Sequence, residues 1–404
     1  MQNRNKGITL IALIITIIIL LILVGVSINL AIKGDLFGSA QKAVNGTNAK
    51  VEEQQTAVDE LMGELDEVEK EIEEQQRQDN LPGTRVSENT KYIRDGKTAW
   101  IPKGFTVSGI KSEQSINKGL VIYDIPEGTT PDWSNPDSVK TKYNQFVWIP
   151  VEVKSSDTEN SIASFYRSAW TVNVSTGGDR TTGLSTSYTE PNSTNDTADK
   201  TGIAGQITEL TKSIYKYGGF YIGRYEAGSK TERTSSSSQT AEFVVQQDKY
   251  PYNYVKWGTS MSNVSEGAVY LCNNLYSPTN TNYGATSMLC SGVSWDSMLD
   301  FVKDSSHSVT DSTTWGNYYD SETYTINRGK YAVLSSGTLG NFQDVVNEYS
   351  KEKSKSILLT TGTTERNSSK NIYDIAGNVY EWTTESYSSS SRAFRGRHLR
   401  LQWF

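Results

Sequence analysis

Across 404 residues the chain has only two cysteines, two histidines and nine prolines. Cys272 and Cys290 are too few for a disulfide scaffold or a multi-cysteine metal framework. They are read either as a bridge, if the domain is exported, or as two buried thiols. His307 and His398 lie far apart, with no His-Glu-x-x-His pattern and no cysteine at ligand spacing, so zinc chemistry is not expected. Basic charge is also scarce: 39 Lys and Arg stand against 46 Asp and Glu, a formal net charge of -7. No Lys/Arg cluster able to neutralise several phosphates follows the first few residues, which excludes a nucleic-acid partner. There is no Gly-x-Ser-x-Gly elbow. Gly96-Lys97-Thr98 imitates the end of a phosphate loop, but Lys91 stands where its first glycine is required.

Long apolar sequence, by contrast, is present once. From Gly7 to Ile32 no residue is charged, and as a helix rising about 1.5 Å per residue the run would measure about 39 Å, more than the roughly 30 Å of a bilayer core. A secretory signal has a shorter apolar region, so the reading is a retained transmembrane helix. Arg4 and Lys6 precede it and the sequence after Lys33 turns acidic, which puts the N-terminus in the cytoplasm and the remainder outside. The expected location is the bacterial cytoplasmic membrane, single-pass, with a globular part at the cell surface. Lys6-Gly7-Ile8-Thr9-Leu10-Ile11-Ala12 resembles the processing site of type IV prepilins. The resemblance implies cleavage after Gly7, leaving Ile8 as the new terminus. Ala12 departs from it, because the family places there a Glu that pairs with a neighbouring subunit. An ordinary anchor remains the alternative.

Between Leu36 and Gln78 the composition turns to Gln, Glu, Lys and Ala, with apolar residues at Val44, Val51, Val58, Leu61, Leu65, Val68 and Ile72. From Val58 onward the spacings alternate three and four, an a/d seam with Glu-rich flanks. A helical stalk ending near Asn80 is expected, because Pro82-Gly83 forbids continuation. Its seam offers self-association. Gln54 and Gln75 in seam positions keep open a lone solvated helix or a partly disordered spacer.

Beyond Gly83, Gly, Tyr, Trp, Asn, Ser and Thr dominate, and short apolar runs alternate with turn residues, as in loop-rich β structure with few helices. Strands are expected at Thr98–Pro102, Gly119–Tyr123, Gln145–Val151 and Tyr217–Tyr225. One helix is expected from about Ser262 to Leu275. A second is expected from Ser294 to Val302, with Trp295, Met298, Leu299 and Val302 on one stripe and Ser294 as its cap. Two stretches read as insertions too poor in apolar residues to form a core: Ser155–Asp199, and Ser235–Ser238. The sequons at Asn173, Asn192 and Asn195 are taken as chance. The fold class is therefore α+β: an anchor over 1–33, a stalk over 34–80, a β-rich part over 81–154, an insertion over 155–210 and a core over 211–404.

Four segments of that core, in order, resemble the formylglycine-generating enzyme / sulfatase-modifying factor family, whose fold is C-type-lectin-like. They are Gly219-Phe220-Tyr221-Ile222-Gly223-Arg224-Tyr225-Glu226; Pro251 to Trp257 with the helix after it; Ser294-Trp295-Asp296 with Trp315-Gly316-Asn317; and Asn371-Ile372-Tyr373-Asp374-Ile375-Ala376-Gly377-Asn378-Val379-Tyr380-Glu381-Trp382-Thr383. The last is the most specific. Read from the residues alone, Gly377-Asn378 is a turn with positive φ leading into a strand. The resemblance implies in addition that Asn378, Val379 and Glu381 present oxygens to a structural Ca²⁺. It also implies, through a related subgroup of the fold, the variable ligand-binding targets of diversity-generating retroelements.

The family's enzymes carry copper-binding cysteines beyond an Arg-Gly-Gly-Ser element. Arg395-Gly396 begins such an element, but no cysteine follows it, so neither copper nor catalysis is expected. The core reads as C-terminally truncated, and one back-translation of Arg397 to Phe404, shifted by one base, would continue the family's text. The leading reading is a non-enzymatic display protein with a lectin-like domain that binds a protein or glycan ligand. The alternatives are a minor pseudopilin of a pilus or secretion system and a formylglycine-generating oxidase.

Overall fold

The computed structural model describes residues 40–171, 179–181, 190, 202–234, 242–258, 267–304, 306–388 and 391–396. It divides into two compact units, Met1–Glu74 and Gln75–Phe404. Helix α1, Ala40–Asn80, runs through the boundary. It ends where expected: Pro82 lacks the N–H to continue it, and Gly83 turns the chain at φ 81°. Along its seam Val58, Leu61 and Val68 are exposed, and so is Met62 beside them.

Among the described residues no helix is long and apolar enough to cross a membrane. The one long helix is too rich in Glu, Lys and Gln to do so. The expected transmembrane architecture, and the single-pass membrane location with it, is therefore corrected: the described residues form a mixed α+β fold of five α-helices and many small antiparallel sheets. The apolar run and the processing residues Gly7 and Ile8 lie outside the described residues.

The second unit begins with a hairpin of β1 (Thr90–Arg94) and β2 (Lys97–Ile101). Its two-residue turn, Asp95-Gly96, has both φ values positive, as the tightest hairpins require. The central sheet follows: β3 (Thr106–Val107), β4 (Val121–Tyr123), β5 (Gln145–Pro150) and, much later in sequence, β8 (Gly219–Gly223), all antiparallel in the order β3-β4-β5-β8. Helix α2 (Pro136–Lys140) precedes β5, and a hairpin of β6 (Ala169–Thr171) and β7 (Asp179–Thr181) precedes β8.

Side-chain alternation buries this sheet on both faces. Val147 and Ile149 point into one core with Val121, Tyr123, Ile214, Trp295, Met298 and Val302. Trp148 points into another with Ile122, Tyr92, Ile101, Phe105 and Tyr276. The β-rich part and the later core thus share one sheet.

Helix α3 (Ile203–Tyr217) lies in what reads as insertion and crosses the expected boundary at 210. Ile203, Ile207, Leu210 and Ile214 form its apolar stripe, and Gly218 closes it at φ 77°. Nor is the earlier part of the insertion coreless, since Ile162 and Phe165 are buried in the central core. The three sequons lie outside the described residues, as does Ser235–Ser238.

Three short strands follow: β9 (Gly228–Ser229), β10 (Phe243–Val244) and β11 (Tyr250–Pro251). Helix α4 spans Ala268–Leu275; the part expected earlier, 262–266, is not described. Helix α5 spans Gly292–Val302. Its cap is Ser291, whose hydroxyl accepts from Ser294 N at 3.0 Å, rather than Ser294, which already lies in the first turn.

The last third is a run of strands: β12 (Tyr324–Ile326), β13 (Lys330–Ser335), β14 (Thr338–Leu339), β15 (Gln343–Asp344), β16 (Tyr349–Lys351), β17 (Ser356–Leu359), β18 (Ser368–Ser369) and β19 (Ile372–Tyr373). A bulged hairpin, β20 (Glu381–Ser388) with β21 (Ser391–Arg395), ends the described chain, and 397–404 lie beyond it.

Candidate functional site

Three polar groups lie in the second unit, and each grows from a segment singled out in the sequence. The first follows β8. Arg224 is almost wholly buried and meets Glu113 at 2.8 Å. Its Nη1 donates to Tyr123 Oη at 3.2 Å and Gln145 Oε1 at 3.1 Å, and its guanidinium lies 5.5 Å from the rings of both Tyr225 and Tyr373. Ser108 and Tyr123 donate to Glu113, and Lys140 stands 3.3 Å away. Burial alone would push the Glu113 carboxyl up. The Arg224 charge and hydrogen bond, with help from Lys140 and Ser108, hold it below the usual range.

The second centres on Asn378, at φ 64° in the turn after Gly377. A Cβ on Gly377 would fall 2.2 Å from Asn317 O, so only glycine fits. Asn378 Oδ1 accepts from Asn317 Nδ2 at 3.0 Å and Leu359 N at 2.9 Å. Its Nδ2 donates to Leu359 O at 3.1 Å and to Glu226 Oε1. The Glu-ended strand, the Trp-Gly-Asn turn and the Gly-Asn turn of the sequence reading therefore meet at one side chain. The Pro251–Trp257 segment joins them through Trp257 Nε1, which donates to Thr383 O at 2.8 Å.

This geometry bears on the expected calcium ligands. Both acceptor positions of Asn378 Oδ1 are taken by hydrogen bonds, so this residue does not fit as a cation ligand. Val379 offers a backbone carbonyl and Glu381 a half-buried carboxylate. Among the described residues no group of three His, Cys, Asp or Glu side chains is placed to hold a metal ion. Desolvation and the Asp374 charge push the Glu381 carboxyl up to about 8, and desolvation pushes Asp374 up to about 7. Glu226 is raised too, by burial and then by Asp374 and Glu381, and its Oε2 has no hydrogen-bond donor among the described residues.

The third group borders a cavity. Arg395, at the end of β21, donates from Nε and Nη2 to the two oxygens of Glu385 at 2.6 and 2.8 Å, and Nη2 lies 3.9 Å from Asp296 Oδ1. Arg167 spans the same two acids, 2.9 Å from Asp296 and 2.6 Å from Glu385. Glu190 accepts from Val293 N and Thr384 Oγ1, and burial pushes its carboxyl up.

Beside Arg395 opens a cavity of about 440 Å³. Trp295, Trp315, Tyr318, Ile375 and Ala376 are among its buried walls, and Phe394, 48% exposed, stands at its edge. The polar edges of two of these rings are already satisfied: Trp315 Nε1 donates to Ser308 O at 2.9 Å, and the Tyr318 hydroxyl bonds that of Ser312. Ring surface thus lines a cavity whose exposed lining is on balance polar. Phe394 also packs on Tyr380, 4.3 Å between centroids, and Tyr380 is itself exposed.

Sequence reasoning placed Trp295, Asp296, Trp315 and Arg395 in motifs but did not assemble them, and it missed Arg167, Glu190 and Phe394. Arg167 and Glu190 sit in the apparent insertion, where no local pattern marks them. Cys272 and Cys290 are free thiols. Burial pushes the Cys272 thiol up to about 12, and Cys290 well above its ordinary value. No protein-family model, no curated protein and no solved structure matches the chain.

Proposed function

We propose that the chain is a non-enzymatic ligand-binding protein whose recognition site is the aromatic cavity edged by Phe394 and Arg395. The observation that carries this reading is the cavity's make-up: three buried rings, two of them with satisfied polar edges, an exposed ring at the rim and one guanidinium beside it. Such a site takes a ligand with a flat apolar face and an oxygen acceptor at its edge, which describes a sugar or a peptide side chain.

The resemblance of four segments to the formylglycine-generating enzyme family, three of which meet at Asn378, supports the reading. Its catalytic side does not carry over: thiols held protonated by burial are poor nucleophiles, which favours binding over cysteine oxidation.

The test is to screen the full chain against an immobilised glycan array and a displayed peptide library, beside Phe394→Ala. Binding that is saturable in the wild type and at least tenfold weaker in the variant, at unchanged Tm, is expected. Ligands that bind both proteins equally would place recognition elsewhere.

A further inference from the structure

A second concavity lies on the side of the molecule built by the β1–β2 hairpin and the C-terminal end of α3, and it shares no lining residue with the Phe394 cavity. It encloses about 690 Å³ and is lined by Ser87, Glu88, Asn89, Trp100, Lys103, Lys216, Tyr217 and Gly284. Its apolar wall is an aromatic pair: Trp100 and Tyr217 meet edge to face, with centroids 5.4 Å apart. The Trp100 backbone is pinned by Tyr221, whose hydroxyl donates to Trp100 O at 3.2 Å.

Two ammonium groups border that wall. Lys216 Nζ stands 4.9 Å from the Tyr217 ring centroid, and Lys103 Nζ donates to Thr281 O at 3.0 Å. Among the described residues neither lysine has a carboxylate within ion-pair distance, although the surface is acidic overall. Burial would raise the Tyr217 phenol, but hydrogen bonds from Lys216 and Asn89 outweigh it and leave the phenol below its ordinary value.

The floor is fixed rather than plastic. Asn89 Oδ1 accepts from Lys103 N at 2.9 Å, its Nδ2 donates to Tyr217 Oη at 3.4 Å, and Gly284 N donates to Lys103 O at 2.9 Å. A Cβ on Gly284 would fall 2.2 Å from Asn89 Oδ1, so the close approach of these two segments depends on glycine.

We infer that this groove binds an acidic oligosaccharide of the uronate class. The apolar face of a pyranose ring packs on Trp100 and Tyr217. The two lysines take carboxylates on neighbouring sugar units, and Ser87 and Glu88 supply exchangeable partners for hydroxyls. A bare polyphosphate would use the lysines but leave the aromatic wall without a partner. A neutral sugar would use the wall but leave the charges unmatched.

The test is a titration of the full chain with tetragalacturonate, read by tryptophan fluorescence, at low and high salt. Alongside run a neutral oligosaccharide of equal length, linear tetraphosphate, a Lys103→Gln/Lys216→Gln double variant, and Phe394→Ala. Saturable binding of tetragalacturonate is expected, weakened by salt, at least tenfold tighter than either comparison ligand, and at least tenfold weaker in the double variant. Because both lysines are exposed, that variant should keep its Tm. Phe394→Ala should bind as wild type does, which separates this site from the aromatic cavity. No binding of tetragalacturonate, equal binding of the neutral sugar, tighter binding of tetraphosphate, or an unaffected double variant would each overturn the inference.

Discussion

The groups around Arg224 and Arg395 use the same chemistry to different ends. Around Arg224 the guanidinium is enclosed: one acid, a phenol, an amide and two rings surround it, and its relative exposure is 1%. Around Arg395 the group is open, with 24% of the side chain exposed and a cavity against it. A closed network can only hold the fold together, because no ligand can reach it. An open one is held in place by Glu385 and Asp296 while one face of the guanidinium remains beside a cavity.

That difference should appear first in stability. Replacing Arg224 by Met removes the closest cation of a buried carboxylate and leaves Glu113 with Lys140 and the Ser108 and Tyr123 hydroxyls, a change that costs about 3–5 kcal/mol in comparable buried pairs. Urea denaturation should show a loss of that size, and a loss below about 1 kcal/mol would mean that the network is not closed. Arg395→Met should cost less, about 1–2 kcal/mol, because water reaches the site and Arg167 still faces both acids. Its larger effect is expected on ligand binding, so the two variants should rank oppositely in the two assays.

A third effect sharpens the contrast with two acids that no arginine bridges among the described residues, although the Arg328 charge draws the Asp374 carboxyl partly down. Asp374 and Glu381 have carboxyls raised above their unfolded values, to about 7 and about 8. Between about pH 4 and those values the folded state binds more protons than the unfolded chain, so stability falls as pH rises across this window. Lys351, lowered by burial to about 8, is charged in both states below that pH and does not oppose the trend. Denaturation at pH 5 and pH 8 should show the decline, and Glu381→Gln should flatten it. A slope unchanged in that variant would assign the protons to other groups.

How much of this was legible follows the range of each interaction. The end of α1 at Pro82, the alternation in β5 and the Asp95-Gly96 turn are local consequences of one or two residues, and the sequence displays them. Helix α3 was equally legible through its Ile203, Ile207, Leu210, Ile214 stripe, but the Ser/Thr-rich text before it concealed the change of period. The cap of α5 was displaced by three residues because two serines at that spacing offer the same side chain. Arg167 beside Asp296 was not legible: their contact joins residues 129 apart, and nothing local to either announces it. The same applies to Glu190 and to the cavity, whose walls come from four stretches of the chain.

The Asn378 turn has a further consequence, in the order of folding. Its side chain closes contacts to Asn317, Leu359 and Glu226, which lie 61, 19 and 152 residues earlier. Glu226 therefore emerges during synthesis long before the amide that satisfies it. Contacts of such span carry a large loop-closure entropy and slow folding. Closing the contact at Glu226 thus waits for one asparagine, and a chain interrupted before residue 378 would lack the amide that joins these three segments.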